Sequence, residues 1–159
     1  MEALALTYRS GTLDDLPTLV ALLANDVLGS LREDPNEDDL ASYLRAWEAI
    51  DADPNHLLLL AEAEQGVVGM LQLSFIPHLT YVGGWRAQIE GVRVAEHARS
   101  EGVGRRLLEA AISRARERGC HLVQLTTDRR RPDALRFYES LGFEATHHGL
   151  KLHLGRGTV

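Results

Sequence analysis

Gly102 and Gly104 stand two residues apart, with Arg99 three residues before the first and Arg105 directly after the second. They follow the apolar run Val92-Arg-Val94 and open a stretch of helical periodicity, so the order is strand, loop, helix start. Glycines let backbone come close to a ligand. A helix N-terminus offers unpaired N–H groups and the positive end of its dipole. Together these features suit a phosphate or pyrophosphate, and Arg99, Arg105 and Arg106 add positive charge. No strong side-chain cap competes for the amides, although Ser100 could. The same residues also suit a glycine-containing surface turn ahead of an amphipathic helix. Two nucleotide motifs are excluded. The P-loop needs Gly-Lys-Ser/Thr, which is absent, and the dinucleotide fingerprint needs a third glycine where Leu107 stands.

The charge pattern points the same way. Up to Glu64 there are 14 acidic residues against 3 arginines, a net of −11; the remainder carries 9 acidic and 14 basic residues, a net of +5, and the sum is −6. Eleven of the basic residues lie between Arg93 and Arg136. An acidic front and an arginine-rich back predict one region that meets an anion. Nucleic acid is not the expected partner, because the chain is acidic overall and its basic residues are not interleaved with aromatics. A small polyanion in a pocket fits better.

At 159 residues the chain is sized for one domain, 1–159. The single Cys120 excludes an internal disulfide and a multi-cysteine zinc site, and reads as a small buried hydrophobe. No apolar run approaches the ~20 residues of a membrane helix. The start Met-Glu-Ala-Leu lacks a basic targeting region. A cytoplasmic protein without a membrane partner is the expectation.

The elements that must position the glycine loop can be read by periodicity. Leu4 to Arg9 alternates as a first strand. Thr12 to Asp15 resembles a capping pattern, and Leu16, Leu19, Val20, Leu23 and Val27 follow at helical spacing up to Gly29. Asp34-Pro35-Asn36-Glu37 predicts the start of a second helix, striped by Leu40, Leu44, Trp47 and Ile50 and ended at Asp53-Pro54. His56–Ala63 and Val67–Ile76 read as a hairpin about Gln65-Gly66. Pro77 and Gly83-Gly84 bracket a loop with His78 and Tyr81, and Trp85–Val94 is a strand with Gly91 inside it, the mark of a bulge or of close backbone approach. Gly102–Arg118 is the clearest helix, stopped at Gly119. His121–Thr127 reads as a strand, Pro132–Leu141 as a helix, and Phe143–Leu154 as one or two strands broken at Gly149. The order β-α-α-β-β-β-α-β-α-β(β) is that of a mixed α/β or α+β layer fold.

Arg99-x-x-Gly102-x-Gly104 resembles the acyl-CoA pyrophosphate motif of the GNAT superfamily of N-acetyltransferases. Ile89-Glu-Gly-Val-Arg-Val94 resembles that family's central strand, and Phe137-Tyr-Glu-Ser-Leu-Gly-Phe143 its C-terminal tyrosine-containing signature. The specific resemblance covers about Trp85 to Leu154. It implies a strongly twisted mixed sheet flanked by helices and splayed between the strand ending near Val94 and the strand around Leu122–Thr127, with acetyl-CoA in the cleft. By resemblance, the backbone of Val92, Arg93 and Val94 meets pantetheine like an added strand. The loop of Arg99 and the amides of Ser100, Glu101, Gly102, Val103, Gly104 and Arg105 hold the pyrophosphate.

The implied reaction is acetyl transfer to a primary amine by direct attack on the thioester. Backbone N–H near Val92 polarises the carbonyl. Tyr138 matches the acid that protonates the leaving thiolate, and its plain alternative is a core aromatic beside Phe137 and Phe143. Glu90 is the base candidate, against a charge on a wet strand face or a group orienting a cationic acceptor. The family frequently has an Asn contacting pantetheine where Arg131 stands here; Arg129-Arg130-Arg131 reaches a CoA phosphate or coats a loop. His147, His148 and His153 lack metal spacing, and no metal is expected. His78, Tyr81, Trp85, Arg86 and Trp47 are candidates to line the acceptor site. A small-molecule amine is the first expectation for the acceptor, the acidic front half suiting a cation. A protein lysine or N-terminus, or a non-catalytic acyl-CoA-binding sensor, is the alternative. A homodimer stays open.

Overall fold

The computed structural model describes residues 2–26, 28–33 and 40–155. They form two compact units, 1–125 and 126–159. In the first, strands β1 (Thr7–Ser10), β2 (His56–Ala63), β3 (Gly66–Pro77), β4 (Trp85–Val94) and β5 (Leu122–Leu125) make one sheet in the order β1-β2-β3-β4-β5. All neighbours run antiparallel except β4 and β5, which are parallel. The helices of this unit are α1 (Leu16–Ala24), α2 (Leu40–Ala52), the single turn α3 (Thr80–Gly83) and α4 (Val103–Glu117). No helix among the described residues is long and apolar enough to cross a membrane. The expected second-helix start at Asp34–Glu37, and Val27, lie outside the described residues.

Strand alternation gives the sheet two faces. Val103, Leu107, Leu108, Ala111 and Ala115 of α4 are all buried. They cover the face that carries Leu71, Leu73, Ala87 and Ile89. Gly69 lies close under the helix: a Cβ on it would stand 3.2 Å from Val103 and 3.3 Å from Leu107, which would have to give by a few tenths of an ångström. On the other face Leu19 of α1 packs with Leu60 and Met70. Each large side chain so buried contributes roughly 1.5–3 kcal/mol.

Local chemistry sets the element ends. Asp15 accepts from the Thr12 backbone N–H at 2.7 Å and receives both Arg9 Nη groups, at 2.7 and 2.8 Å, fastening the entry of α1 to β1. Gly29 is not the stop of α1, which ends at Ala24. It lies in the next 3₁₀ turn, where a Cβ would fall 2.0 Å from the Leu23 carbonyl oxygen. β1 begins at Thr7 rather than Leu4, because only Thr7–Ser10 have partners on β2. β5 is four residues long, shorter than the expected 121–127 span.

The second unit contains α5 (Pro132–Ser140), opened by a proline and followed by Gly142 at φ +95°. The strands expected over Phe143–Leu154 do not form. Alternating Leu150, Leu152 and Leu154 predict a strand, yet they are 92%, 86% and 90% exposed. A strand needs a neighbour for its backbone groups, and no ladder includes them.

Candidate functional site

β4 has ten residues and β5 has four, and the difference opens the sheet. Pairing runs from Arg86↔Leu122 to Ile89↔Leu125 and stops. From Glu90 to Val94, β4 has β3 on one edge and, among the described residues, no strand on the other. Opposite Leu71 on β3, β4 carries both Gly91 and Val92, a bulge with Gly91 at φ +63°. The Ala95 N–H donates to Val68 on β3 at 2.8 Å, so alternation turns the Val94 backbone to the open edge.

The chain then makes a 3₁₀ turn, Glu96–Ala98, and reaches α4 through two left-handed residues, Ser100 at φ +68° and Gly102 at φ +73°. Gly102 is the N-cap of α4, and no side chain caps it. Ser100, the one competitor in the sequence, leaves the amides alone. The first turn holds no acidic side chain, and Val103 is buried, which anchors the helix end. The arrangement joins an open strand edge to an uncapped helix N-terminus within ten residues, which suits an extended ligand ending in phosphates.

The arginines divide by what they touch. Arg99 donates through Nε to the Val94 carbonyl at 3.3 Å and through Nη2 to the Asn25 carbonyl at 3.3 Å. Arg93 turns its side chain away from the loop. Its Nε lies 3.4 Å from Asp26 and its Nη1 donates to the Val92 carbonyl at 2.8 Å. Arg106 bonds the Leu4 carbonyl, so of the three loop arginines only Arg99 and Arg105 are exposed.

Glu90 is exposed and is the first β4 residue past the last β5 pair; across β3 it stands opposite Gln72. A row of polar side chains crosses the same face: His56, Ser74, Gln88 and Gln124 occupy successive register positions on β2, β3, β4 and β5. His56 Nδ1 lies 2.9 Å from Ser74 Oγ, and Gln124 donates to Gln88 at 2.7 Å. The row was not singled out from sequence. Its signal is polar residues at inward positions of otherwise apolar strands. Trp47 lines a cavity of about 140 Å³ with Asp53 and His56 at one end of the row. Arg86, Tyr81 and His78 gather at the other end, where Arg86 donates to Gln124 at 3.2 Å and to His78 at 3.0 Å. Trp85 is 37% exposed.

In the second unit Tyr138 is half-buried, its ring 5.3 Å from Phe137 and 5.9 Å, edge-on, from Phe143. Arg131 is the N-cap residue of α5. Its neighbour Arg130 pairs with Asp128, and the Arg130 guanidinium holds the Asp128 carboxyl well below the usual carboxylate range. His147, His148 and His153 are exposed. Cys120 is half-buried rather than fully buried, and burial pushes its thiol up.

A sequence model of the Acetyltransferase (GNAT) family matches residues 23–143, across both units. The chain belongs to the GNAT acetyltransferase family. This GNAT chain is 31% identical over 139 residues to an aminoalkylphosphonate N-acetyltransferase of Salmonella typhimurium, covering 87% of this chain and 85% of that protein. It is 30% identical over 148 residues to an L-methionine sulfoximine/L-methionine sulfone acetyltransferase of Pseudomonas paraeruginosa, covering 87% and 80%. Among solved structures, one described as a transcriptional regulator from Bacillus halodurans C-125 matches with a TM-score of 0.91 and 53% identity, over 94% of this chain and 100% of that one. A Trypanosoma brucei acetyltransferase matches with a TM-score of 0.74 and 27% identity, over 94% and 100%. The GNAT chain is thus an acyltransferase with the mixed sheet of that family, and the family uses acetyl-CoA.

Proposed function

We propose that the whole chain acts as one transferase domain that moves the acetyl group of acetyl-CoA to the primary amine of a small molecule. The observation that carries this reading is the end of the β4–β5 ladder at Ile89↔Leu125, directly ahead of the uncapped N-terminus of α4. The open backbone of Val92 and Val94 takes the pantetheine as an added strand. The amides from Ser100 to Arg105 take the pyrophosphate, and Arg99 and Arg105 supply charge. Arg131, at the start of the helix that bears Tyr138, is assigned to a CoA phosphate. Both curated relatives described above are named for small acceptors, an aminoalkylphosphonate and an amino-acid derivative.

In the reaction the amine must be neutral before its nitrogen attacks the thioester carbon. Glu90 takes its proton through a water. Backbone N–H near Val92 stabilises the oxyanion of the tetrahedral intermediate. The C–S bond then breaks, the nitrogen gives up its remaining extra proton to solvent, and Tyr138 gives its proton to the leaving thiolate and regains one from solvent. The protein works in the cytoplasm, a location supported by the absence of a possible disulfide. A homodimer is the assembly to test, by analytical ultracentrifugation.

The transcriptional-regulator description of the 53% identical structure favours a second reading, an acyl-CoA-binding module without turnover. Thiol release from acetyl-CoA across a panel of amines separates the two. Release that depends on an amine supports the transferase. Tight CoA binding with no release from any amine overturns it.

A further inference from the structure

Three arginines stand on the sheet, and two of them face carboxylates. Arg9 pairs with Asp15 and Glu62, and Arg93 with Asp26. Arg86 is half-buried as well, yet among the described residues none of its partners is a carboxylate. Nε donates to His78 Nδ1, Nη1 donates to the Gln124 side-chain oxygen, and the guanidinium carbon lies 5.9 Å from the Tyr81 ring centroid. Nη2 makes no hydrogen bond to the described residues. A cation taken partly out of water without a counter-ion is held at a disadvantage that an incoming anion removes, and a guanidinium suits a planar or tetrahedral oxyanion through paired donors.

The surroundings fix this group in place. Gln124 is itself held by Gln88 at 2.7 Å. His78 Nδ1 lies 3.0 Å from Arg86 Nε and 3.1 Å from the Ile76 carbonyl oxygen, so the ring is fixed between β3 and the guanidinium. The turn above is strained. Tyr81 (φ 53°, ψ 40°) and Val82 (φ 58°, ψ 46°) are both left-handed, and Gly83 follows at φ +70°. A β-branched valine there is a true outlier. Such strain persists where the surroundings over-determine it, and it gathers at ligand clamps and switch regions. Here it leans the Tyr81 ring on His121 at 4.9 Å, beside Arg86. Gly84 allows this approach, since a Cβ would stand 2.7 Å from the His121 ring.

We propose that Arg86, held by His78 and Gln124 under the Tyr81–Val82 turn, is the anion-binding group of the acceptor site, so that the acceptor is a compact amine carrying an oxyanion, either carboxylate or phosphonate. The inference rests on the transferase reading above. Arg86, Gln88 and Glu90 alternate along one face of β4. The guanidinium bonds His78, just past the Arg86 end of the strand, and the side chain of Gln124, the register partner of Gln88, so it lies two to four residues short of Glu90. That is roughly 7–13 Å along the strand. An amine at Glu90 and an acid at Arg86 fit a molecule with its two groups a few bonds apart.

The test compares four short amines as acceptors: 2-aminoethylphosphonate, β-alanine, n-propylamine and 1,3-diaminopropane. The wild type is expected to favour the two oxyanion-bearing amines in kcat/KM. Arg86→Gln is expected to reduce that preference about ten- to hundredfold, the worth of one charge-assisted hydrogen-bonded pair. The loss should fall on the acceptor KM, with KM for acetyl-CoA unmoved, and Arg86→Lys should recover part of it. Preference for n-propylamine or 1,3-diaminopropane overturns the proposal, as does an Arg86→Gln variant that lowers all four amines equally. If no amine releases thiol, the transferase reading fails separately. Calorimetry of 2-aminoethylphosphonate on the CoA-loaded protein then decides. Binding lost in Arg86→Gln supports the anion site, and no binding by the wild type overturns it.

Discussion

Ile89 and Leu125 form the last pair between β4 and β5. The next β4 residue is Glu90, and the one after it is Gly91, which opens the bulge. An unpaired strand edge is a template for whatever extended chain reaches it. Here it is short, and its bulge turns the backbone out of register with β3 at the point where the ladder to β5 fails. These features together suit one extended ligand better than another sheet.

The helix beyond that edge yields a variant in which stability and ligand binding part ways. Gly104 is the second residue of α4. Gly104→Glu places a better helix former there and an acid at the positive end of the dipole, each worth a few tenths to about 1 kcal/mol of stabilisation. The same charge opposes a pyrophosphate at the amides. The midpoint of thermal unfolding is expected to hold or rise while CoA affinity falls at least about tenfold, near 1.4 kcal/mol. Calorimetric titration giving wild-type affinity would remove the pyrophosphate from this loop.

Tyr138→Phe keeps a ring against Phe137 and Phe143 and deletes only the hydroxyl. Folding and CoA binding should persist. Turnover should fall by about 10²–10⁴-fold, the usual worth of a positioned proton donor. Single-turnover kinetics at wild-type rate would leave Tyr138 as a packing residue.

Much of this was legible in the residues themselves, and the failures have physical causes. β4 and α4 carry strong periodicity and glycine punctuation, and their observed bounds agree with the expected ones within one residue. Gly91 announced the bulge because only a glycine takes a left-handed φ inside a strand without strain. The alternating Leu150, Leu152 and Leu154 misled, since alternation records which side chains could share a face and not whether a neighbouring strand exists. The polar row from His56 to Gln124 went unread for a related reason. Its members are far apart in sequence and meet only through register. Arg86 was placed at the acceptor loop by its position, but its lack of a carboxylate partner is a property of the packed sheet.

The junction of β1 and α1 predicts a pH dependence. The Arg9 guanidinium, through its paired bonds, holds the Asp15 carboxyl well below the usual carboxylate range. A carboxyl that resists protonation in the fold adds stability above its unfolded pKa, about 3.9, and loses it as pH falls further. Asp15→Asn is expected to cost about 1–2 kcal/mol at neutral pH, a charge-assisted pair discounted for the solvent around Arg9. The gap to wild type should close between about pH 4 and pH 2. Urea unfolding at a series of pH values measures it, and a gap independent of pH would show that the pair is not what Asn removes.

Glu90→Gln separates a proton acceptor from a charge that merely holds the acceptor. Glutamine keeps the size and hydrogen-bonding reach and cannot take a proton. Glu90 is exposed at the start of the open edge, so the exchange leaves the packed core alone. If Glu90 is the base, kcat falls at neutral pH and partly recovers at high pH, where more of the amine arrives neutral and needs no deprotonation. If it only orients a cationic amine, the acceptor KM rises while kcat at saturation holds. If it is a wet strand residue, neither constant moves. The expected result is the first, because Glu90 stands at the position where β4 leaves β5 and its open edge begins. A pH–rate profile of the variant that runs parallel to wild type would assign the proton to another group.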